Sequence, residues 1–277
     1  MEIENEATVL HIQGARMPRL GFGTWLMQGR DASEGVRDAL EIGYRHIDTA
    51  RAYENEVEVG QAIADSGVDR GDLWITTKIW TADFTPDRLK AAAEDSLRNL
   101  RVDHVDLLLL HWPNPDVPLE QTLQALADLR EHGRIGHAGV SNFPAGMLER
   151  ALAITPLLAD QVEYHPFLGQ DALLDVCAAR DVTLTAYSPL AHGEVPKHPA
   201  LAEIGEAHGK SAGQVALRWL LDHHVVTTVP KASSHDRRLE NFEVFDFELT
   251  DGDRERIASL RKDLRTADPP WAPDWDA

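Results

Sequence analysis

Eight short apolar runs, each followed by an amphipathic stretch, predict an α/β protein with a parallel sheet and helices outside it. Eight such units favour closure into a (β/α)8 TIM barrel. The runs are expected as strands at 20–23, 45–48, 73–78, 105–111, 135–141, 159–163, 183–187 and 225–229. Several of them end in a polar side chain, Asp48, Lys78 and His111 among them. A parallel barrel gathers the C-terminal ends of its strands at one mouth, where chemistry is presented. The 277 residues are therefore read as a single barrel domain over 1–277.

The elements follow in chain order. ATVLHIQGARMP has a two-sided pattern around Gln13 and Gly14 and reads as an N-terminal β-hairpin that would plug the bottom of the barrel, although the sequence alone does not fix which end it covers. Gly43 and Gly67 look like helix stop signals. In TPDRLKAAAEDSLRNL, Thr85 can cap the first free amides and Pro86 suits the first helical position. Leu89, Ala93, Leu97 and Leu100 then form one apolar stripe for the barrel wall. In PLEQTLQALADLREHG, Leu119, Leu123, Leu126 and Leu129 repeat at helical spacing before Gly133 supplies a left-handed stop. Beyond the eighth strand, SSHDRRLENF and TDGDRERIASLR read as additional C-terminal helices. The second has Thr250 as cap and Ile257 and Leu260 facing inward. The tail ADPPWAPDWDA sets Trp271 and Trp275 among Pro and Asp.

A formal charge of −19 argues against a broad phosphate-binding surface, so no nucleic-acid partner is expected. The start, MEIENEATVL, lacks the basic-then-apolar order of a signal peptide. No apolar run approaches the roughly 20 residues a membrane span needs. The lone Cys177 permits no internal disulfide and reads as a small core residue in a reducing compartment. A cytoplasmic protein with small-molecule partners is expected.

Asp48 and Tyr53 in IDTARAY, Lys78 ending LWITTK and His111 ending VDLLLLH carry the chemistry. Reducing a carbonyl requires an acid that protonates the developing alkoxide. A tyrosine at its ordinary pKa of about 10 is a sluggish proton donor at neutral pH. A lysine ammonium within about 4–6 Å favours the phenolate and is expected to lower that pKa, with Asp48 holding the ammonium in place. His111 would point at the substrate oxygen and stabilise charge there.

A metal site is the rival reading. His46 and Asp48 alternate on one strand and could face the interior with His111, as in a metal-dependent barrel hydrolase. The later strand ends offer Ser141, Asn142, Gln161, Tyr187 and Lys231, which are poor zinc ligands. His46 is then an interior histidine, and no metal is expected. GFGTW is not a dinucleotide fingerprint either, because the third glycine would fall at Leu26.

GYRHIDTARAYENE, TTKIW, LLLLHWP, GVSNF, QVEYHP and VPK together make the chain resemble the aldo-keto reductase family over nearly its whole length. Members of that family are (β/α)8 barrels that reduce aldehydes and ketones with NADPH. The resemblance implies Tyr53 as proton donor, Lys78 and Asp48 as its tuning pair, and His111 as the residue that orients substrate. It implies that Ser141, Asn142 and Gln161 bind the nicotinamide carboxamide while Tyr187 stacks on its ring. Ser188, Leu190 and the backbone at 21–24, Gly23 and Thr24 included, would face the pyrophosphate. Lys231 would meet the adenosine 2′-phosphate, Arg237 would flank adenine and phosphate, Glu240 and Asn241 would contact the adenine amide, and Ser233 counts among the cofactor-binding residues.

Ala232 stands where the family usually has serine, and Ser234 where several bacterial relatives carry arginine. NADPH/NADP+ is therefore the expected cofactor, with NADH as a weaker one. Trp25, Trp80 and Trp112 resemble the aromatic walls of the family pocket and suit an apolar or amphipathic carbonyl compound. Trp271 and Trp275 are expected to close over that pocket. The short segment after Tyr187 and the short tail resemble the bacterial branch that includes 2,5-diketogluconate reductases. Relatives of this length are mostly monomers. Some keep the cofactor site with little turnover, so a cofactor-binding regulatory barrel is the alternative to an enzyme.

Overall fold

The computed structural model describes residues 8–275. An antiparallel hairpin comes first, with β1 (Val9–Ile12) pairing β2 (Ala15–Pro18). Gln13 and Gly14 both turn with positive φ, the backbone that a two-residue hairpin loop demands. Ile12, Ala15 and Met17 pack against Trp74, Leu107 and Leu158, which lie at or near strand starts. The hairpin therefore closes the N-terminal end of the barrel and leaves the other end open.

The strands β3 (Phe22–Gly23), β4 (His46–Asp48), β5 (Trp74–Ile79), β6 (Val105–Leu110), β7 (Ile135–Ser141), β8 (Ala159–Glu163), β9 (Thr183–Tyr187) and β10 (Val226–Thr228) run parallel in chain order. A bridge from Leu20 to Thr228 joins the last to the first. There the Gly21 amide donates to the Thr228 carbonyl (2.8 Å) and the Thr228 amide to the Arg19 carbonyl (2.8 Å). The eight expected runs are the eight strands, with shifted ends. Leu20 contributes only that bridge, and the third strand begins at Trp74 because the Leu73 amide closes a turn onto the Arg70 carbonyl. His111 falls just outside β6, although its amide still bonds the Ile79 carbonyl (3.0 Å).

Helices α1 (Gly29–Ile42), α2 (Glu56–Asp65), α3 (Pro86–Leu100), α4 (Leu119–Glu131), α5 (Ala145–Leu152), α6 (Asp171–Arg180), α7 (Pro199–His208) and α8 (Ala212–Leu221) lie between the strands. Helices α9 (His235–Phe242) and α10 (Asp251–Ala258) come after β10. The α3 stripe of Leu89, Ala93, Leu97 and Leu100 is buried as its spacing requires. Thr85 stands at the N-cap of α3 but its side chain makes no capping bond, so the expected cap is positional only. Thr250 does cap α10, in a reciprocal pair with Asp253. Gly133 has φ +69° after α4, which lets the Arg134 amide reach back to the Leu129 carbonyl (2.9 Å). Cys177 is buried within α6 against the wall, and burial pushes its thiol well above the ordinary range. Among the described residues no helix is long and apolar enough to cross a membrane.

Alternation along the strands sends His46 inward near the bottom. Its Nδ1 donates to the Pro18 carbonyl (3.3 Å), which leaves Nε2 to accept from Thr76 Oγ1 (3.2 Å). That is a neutral imidazole with both nitrogens used. Burial lowers its pKa to about 4 from an ordinary 6.5. A folded-state base with a depressed pKa binds its proton later than the unfolded chain does, so stability is lost as pH falls from about 6.5 toward 4. Each pH unit is worth about 1.4 kcal/mol, so His46 accounts for a loss of about 3 kcal/mol over that window. Urea unfolding at both ends of the window should show a flatter pH dependence in His46→Gln. An unchanged slope would remove His46 as the cause.

Candidate active site

The same alternation points Asp48, Lys78, Ser141, Gln161 and Tyr187 into the open mouth. Lys78 is 1% exposed and cannot stay charged there without partners. Its ammonium donates to Asp48 Oδ1 (2.5 Å), the Thr49 carbonyl (2.8 Å) and Tyr53 Oη (3.4 Å). Gln161 Nε2 crosses the mouth to donate to Asp48 Oδ2 (2.6 Å), so both carboxylate oxygens are held. Tyr53 reaches the cluster from a single 3-10 turn, Arg51–Tyr53, directly after β4. His111 packs edge-on against the Tyr53 ring (5.6 Å between centroids) and against Trp80 (5.2 Å). The structure thus brings all four sequence-predicted residues together.

The electrostatics differ from expectation at one point. Burial pushes the Tyr53 phenol above its ordinary pKa; the Lys78 charge opposes this, and the Asp48 charge adds to it. The expected depression of that pKa is therefore corrected. Desolvation outweighs the ammonium, so the phenol is fully protonated at neutral pH and has a proton to give. Burial disfavours the Lys78 ammonium, but Asp48 and Tyr53 outweigh it and hold the pKa above the ordinary lysine value. Burial, aided by the Lys78 charge, drives His111 well below the ordinary imidazole value, so this ring is neutral. Its Nδ1 is buried with no hydrogen-bond partner among the described residues.

Beside this cluster lies a set of amides and hydroxyls. Asn142, with φ +63°, donates from Nδ2 to the His111 carbonyl (3.0 Å) and accepts from Tyr187 Oη (2.7 Å), which fixes the Tyr187 ring. Ser141 Oγ donates to the Gln161 carbonyl (2.7 Å). Gly23 lies where no side chain fits, since a Cβ there would stand 2.8 Å from the Val229 carbonyl oxygen. The Thr24 hydroxyl is buried without a partner, and Ser188 Oγ meets His192 Nε2 (3.2 Å) beside partly buried Leu190. Lys231 is exposed and donates to Ser233 Oγ (2.7 Å). Neither Lys231 nor the exposed Arg237 has an ion pair among the described residues, in a chain with 46 carboxylates. Glu240 accepts from Ser211 Oγ, and Asn241 is buried next to it in α9. Among the described residues no group of three His, Cys, Asp or Glu is placed to hold a metal ion.

Indoles wall the opening. Trp112 is buried, Trp80 is half-buried, and Trp25 is exposed but packs against His192 (5.3 Å). Trp271 of the tail stands edge-on to both Trp80 (5.7 Å) and Trp112 (4.9 Å), and Trp275 meets Trp112 (6.0 Å).

Three contributors were missed by reading the sequence. Thr49 acts through its carbonyl, which no residue type signals. Arg238, next to the expected Arg237, is the buried one; it pairs with Asp38 (2.5 Å) and donates to the Ala232 carbonyl (3.1 Å), tying the Lys231 loop to α1. Glu163 ends β8 facing inward. A charged side chain ending a barrel strand is the same signal that singled out Lys78.

A parallel barrel whose mouth pairs a tyrosine with a buried Lys–Asp bridge and a neutral histidine defines a class of oxidoreductase scaffold, and known proteins agree. A family model described as "Aldo/keto reductase family" matches residues 19–262. The glyoxal reductase of Bacillus subtilis is 43% identical over 95% of this chain and 96% of its own. A solved structure provisionally described as a 2,5-diketo-D-gluconic acid reductase B superposes with TM-score 0.95 at 42% identity, covering 98% of this chain and 99% of the other. The Bombyx mori aldo-keto reductase solved in complex with NADP gives TM-score 0.89 at 30% identity, over 97% and 98% of the two chains. The chain belongs to the aldo/keto reductase family.

Proposed function

We propose that the protein is an NADPH-dependent carbonyl reductase in which Tyr53 is the general acid. The observation that carries this reading is the Lys78 ammonium shared between Asp48 and Tyr53 beside a neutral His111. NADPH, when bound, would supply a hydride to the carbonyl carbon. Tyr53 Oη gives its proton to the carbonyl oxygen as charge grows there, and the phenolate left behind is stabilised by Lys78 Nζ. Asp48 keeps that ammonium charged and aimed. His111, unable to take a charge of its own in this environment, serves as a neutral hydrogen-bond donor that orients the oxygen.

The donor set fits such a dinucleotide. Asn142 and Gln161 present amide groups suited to a carboxamide, and the Tyr187 ring, fixed by Asn142, offers a flat face that would suit a nicotinamide. Lys231 and Arg237, without carboxylate partners among the described residues, suit a phosphate, with Ser233 adding a hydroxyl. As part of this reading the chain acts as a cytoplasmic monomer on small-molecule aldehydes and ketones of apolar or amphipathic character. Glyoxal belongs in the test panel because of the relative that bears its name.

The direct test follows NADPH oxidation across a panel of aldehydes and ketones. Turnover supports the enzyme, whereas tight cofactor binding with no turnover of any carbonyl would support a regulatory barrel instead. The phosphate assignment has its own test in Lys231→Met. One charge-assisted hydrogen bond is worth about 1.5–3 kcal/mol, so the preference for NADPH over NADH should fall about 10- to 150-fold. A preference that stays constant places the phosphate elsewhere.

A further inference from the structure

We propose that Glu163 is a positioning residue that latches the C-terminal segment across the mouth and thereby sets the size of carbonyl the site accepts; this rests on the mouth being the substrate site. Glu163 is fully buried, and among the described residues its carboxylate shares no hydrogen bond or ion pair with Asp48, Lys78, Tyr53 or His111. Instead it accepts from the Thr266 amide (2.8 and 3.0 Å), Thr266 Oγ1 (2.5 Å) and the Ala267 amide (2.8 Å), a segment more than a hundred positions away. His165 Nε2 completes the shell at 2.9 Å. Its Nδ1 accepts from the Phe167 amide, so the ring is a donor on the Glu163 side without needing a charge. Burial raises the Glu163 carboxyl, but these donors outweigh it and hold the group below the ordinary carboxylate range. A buried anion at a barrel mouth costs several kcal/mol unless it is fully bonded, and backbone amides of the tail are what satisfy it.

The residues just beyond the latch give it a function. Pro269 and Pro270 stiffen the chain there, and the Ala272 amide closes a turn onto the Pro269 carbonyl (2.8 Å). Trp271 is thereby set edge-on to Trp80 and Trp112, and Trp80 in turn packs on His111. Trp271 is 53% exposed, so it forms the rim of the opening and is no part of the core. Thr266, Ala267 and Trp271 all lie past the residues the family model matches, 19–262.

Two measurements on the full chain test the inference. Hydrogen exchange of the Thr266 and Ala267 amides, read without substrate or cofactor, should speed up at least about tenfold in Glu163→Gln. Unchanged exchange overturns the latch whatever the enzyme does. The second is the ratio of kcat/KM for a bulky aromatic ketone to that for a small aliphatic aldehyde. It should rise at least about fivefold in Glu163→Gln and in Thr266→Val, which keeps the carboxylate and loses only the hydroxyl. Thr266→Val should leave kcat for the small aldehyde within about twofold, a split that a merely unstable barrel would not give. Adding Glu163→Gln to Trp271→Ala should leave the ratio where Trp271→Ala alone puts it. A further full shift in that background would mean that Glu163 does not act through the lid, and overturns the inference. If the wild type reduces no carbonyl, the proposed function fails while the exchange measurement still decides the latch.

Discussion

Tyr53→Phe should lower kcat/KM for carbonyl reduction by about 10²- to 10⁴-fold, the usual worth of a positioned general acid, while NADPH binds as tightly as before. The substitution removes one oxygen and keeps the ring, so the edge-on contact with His111 survives. Lys78 retains its bonds to Asp48 and the Thr49 carbonyl, so no buried charge is orphaned and the fold should hold. The loss should appear in kcat, because the phenol contributes most where charge develops on the oxygen and little to binding the ground state. Steady-state reduction kinetics together with fluorescence titration of NADPH checks this. Equal rates in the two proteins would falsify the assignment of the acid.

Lys78→Met is expected to be costly twice over. With its partner gone, Asp48 remains buried at 3% exposure as an uncompensated anion, held by Gln161 alone. Breaking a buried pair from one side typically costs about 3–5 kcal/mol, so the midpoint of denaturant unfolding should drop accordingly. Combining it with Asp48→Asn should recover much of that stability, since an amide beside a thioether is no longer a buried charge. Activity should stay lost in the double variant, because the phenolate has no neighbouring cation. Stability and activity thus separate, which a purely structural role for the pair would not allow. If the two single losses simply add in the double variant, the pair is not coupled as its 2.5 Å contact implies.

The strand ends were legible because a period of two is a local property. Asp48 and Lys78 close apolar runs, and any parallel barrel brings such positions to one mouth. His111 was legible for the same reason, even though it falls one residue past its strand. Thr85 misled because capping depends on the rotamer and on the loop before the helix as much as on residue type. The direction of the Tyr53 shift was misjudged because pairing with a lysine can be inferred from residue types, whereas desolvation depends on everything packed around the ring. Glu163 and Trp271 sit in separate stretches of sequence with nothing to link them. Their connection spans more than a hundred residues and runs through backbone amides, which carry no trace of their partner in the letters.

The barrel, the strand that bears each candidate residue and the family could all be read from the amino-acid order, because apolar periodicity and strand-end chemistry are written locally. Which groups are dry, which hydrogen bonds they share and what the tail covers emerged only in the folded molecule. Those properties arise from burial and from contacts between distant segments, which keep the Tyr53 phenol protonated and bond Glu163 to the Thr266 and Ala267 amides.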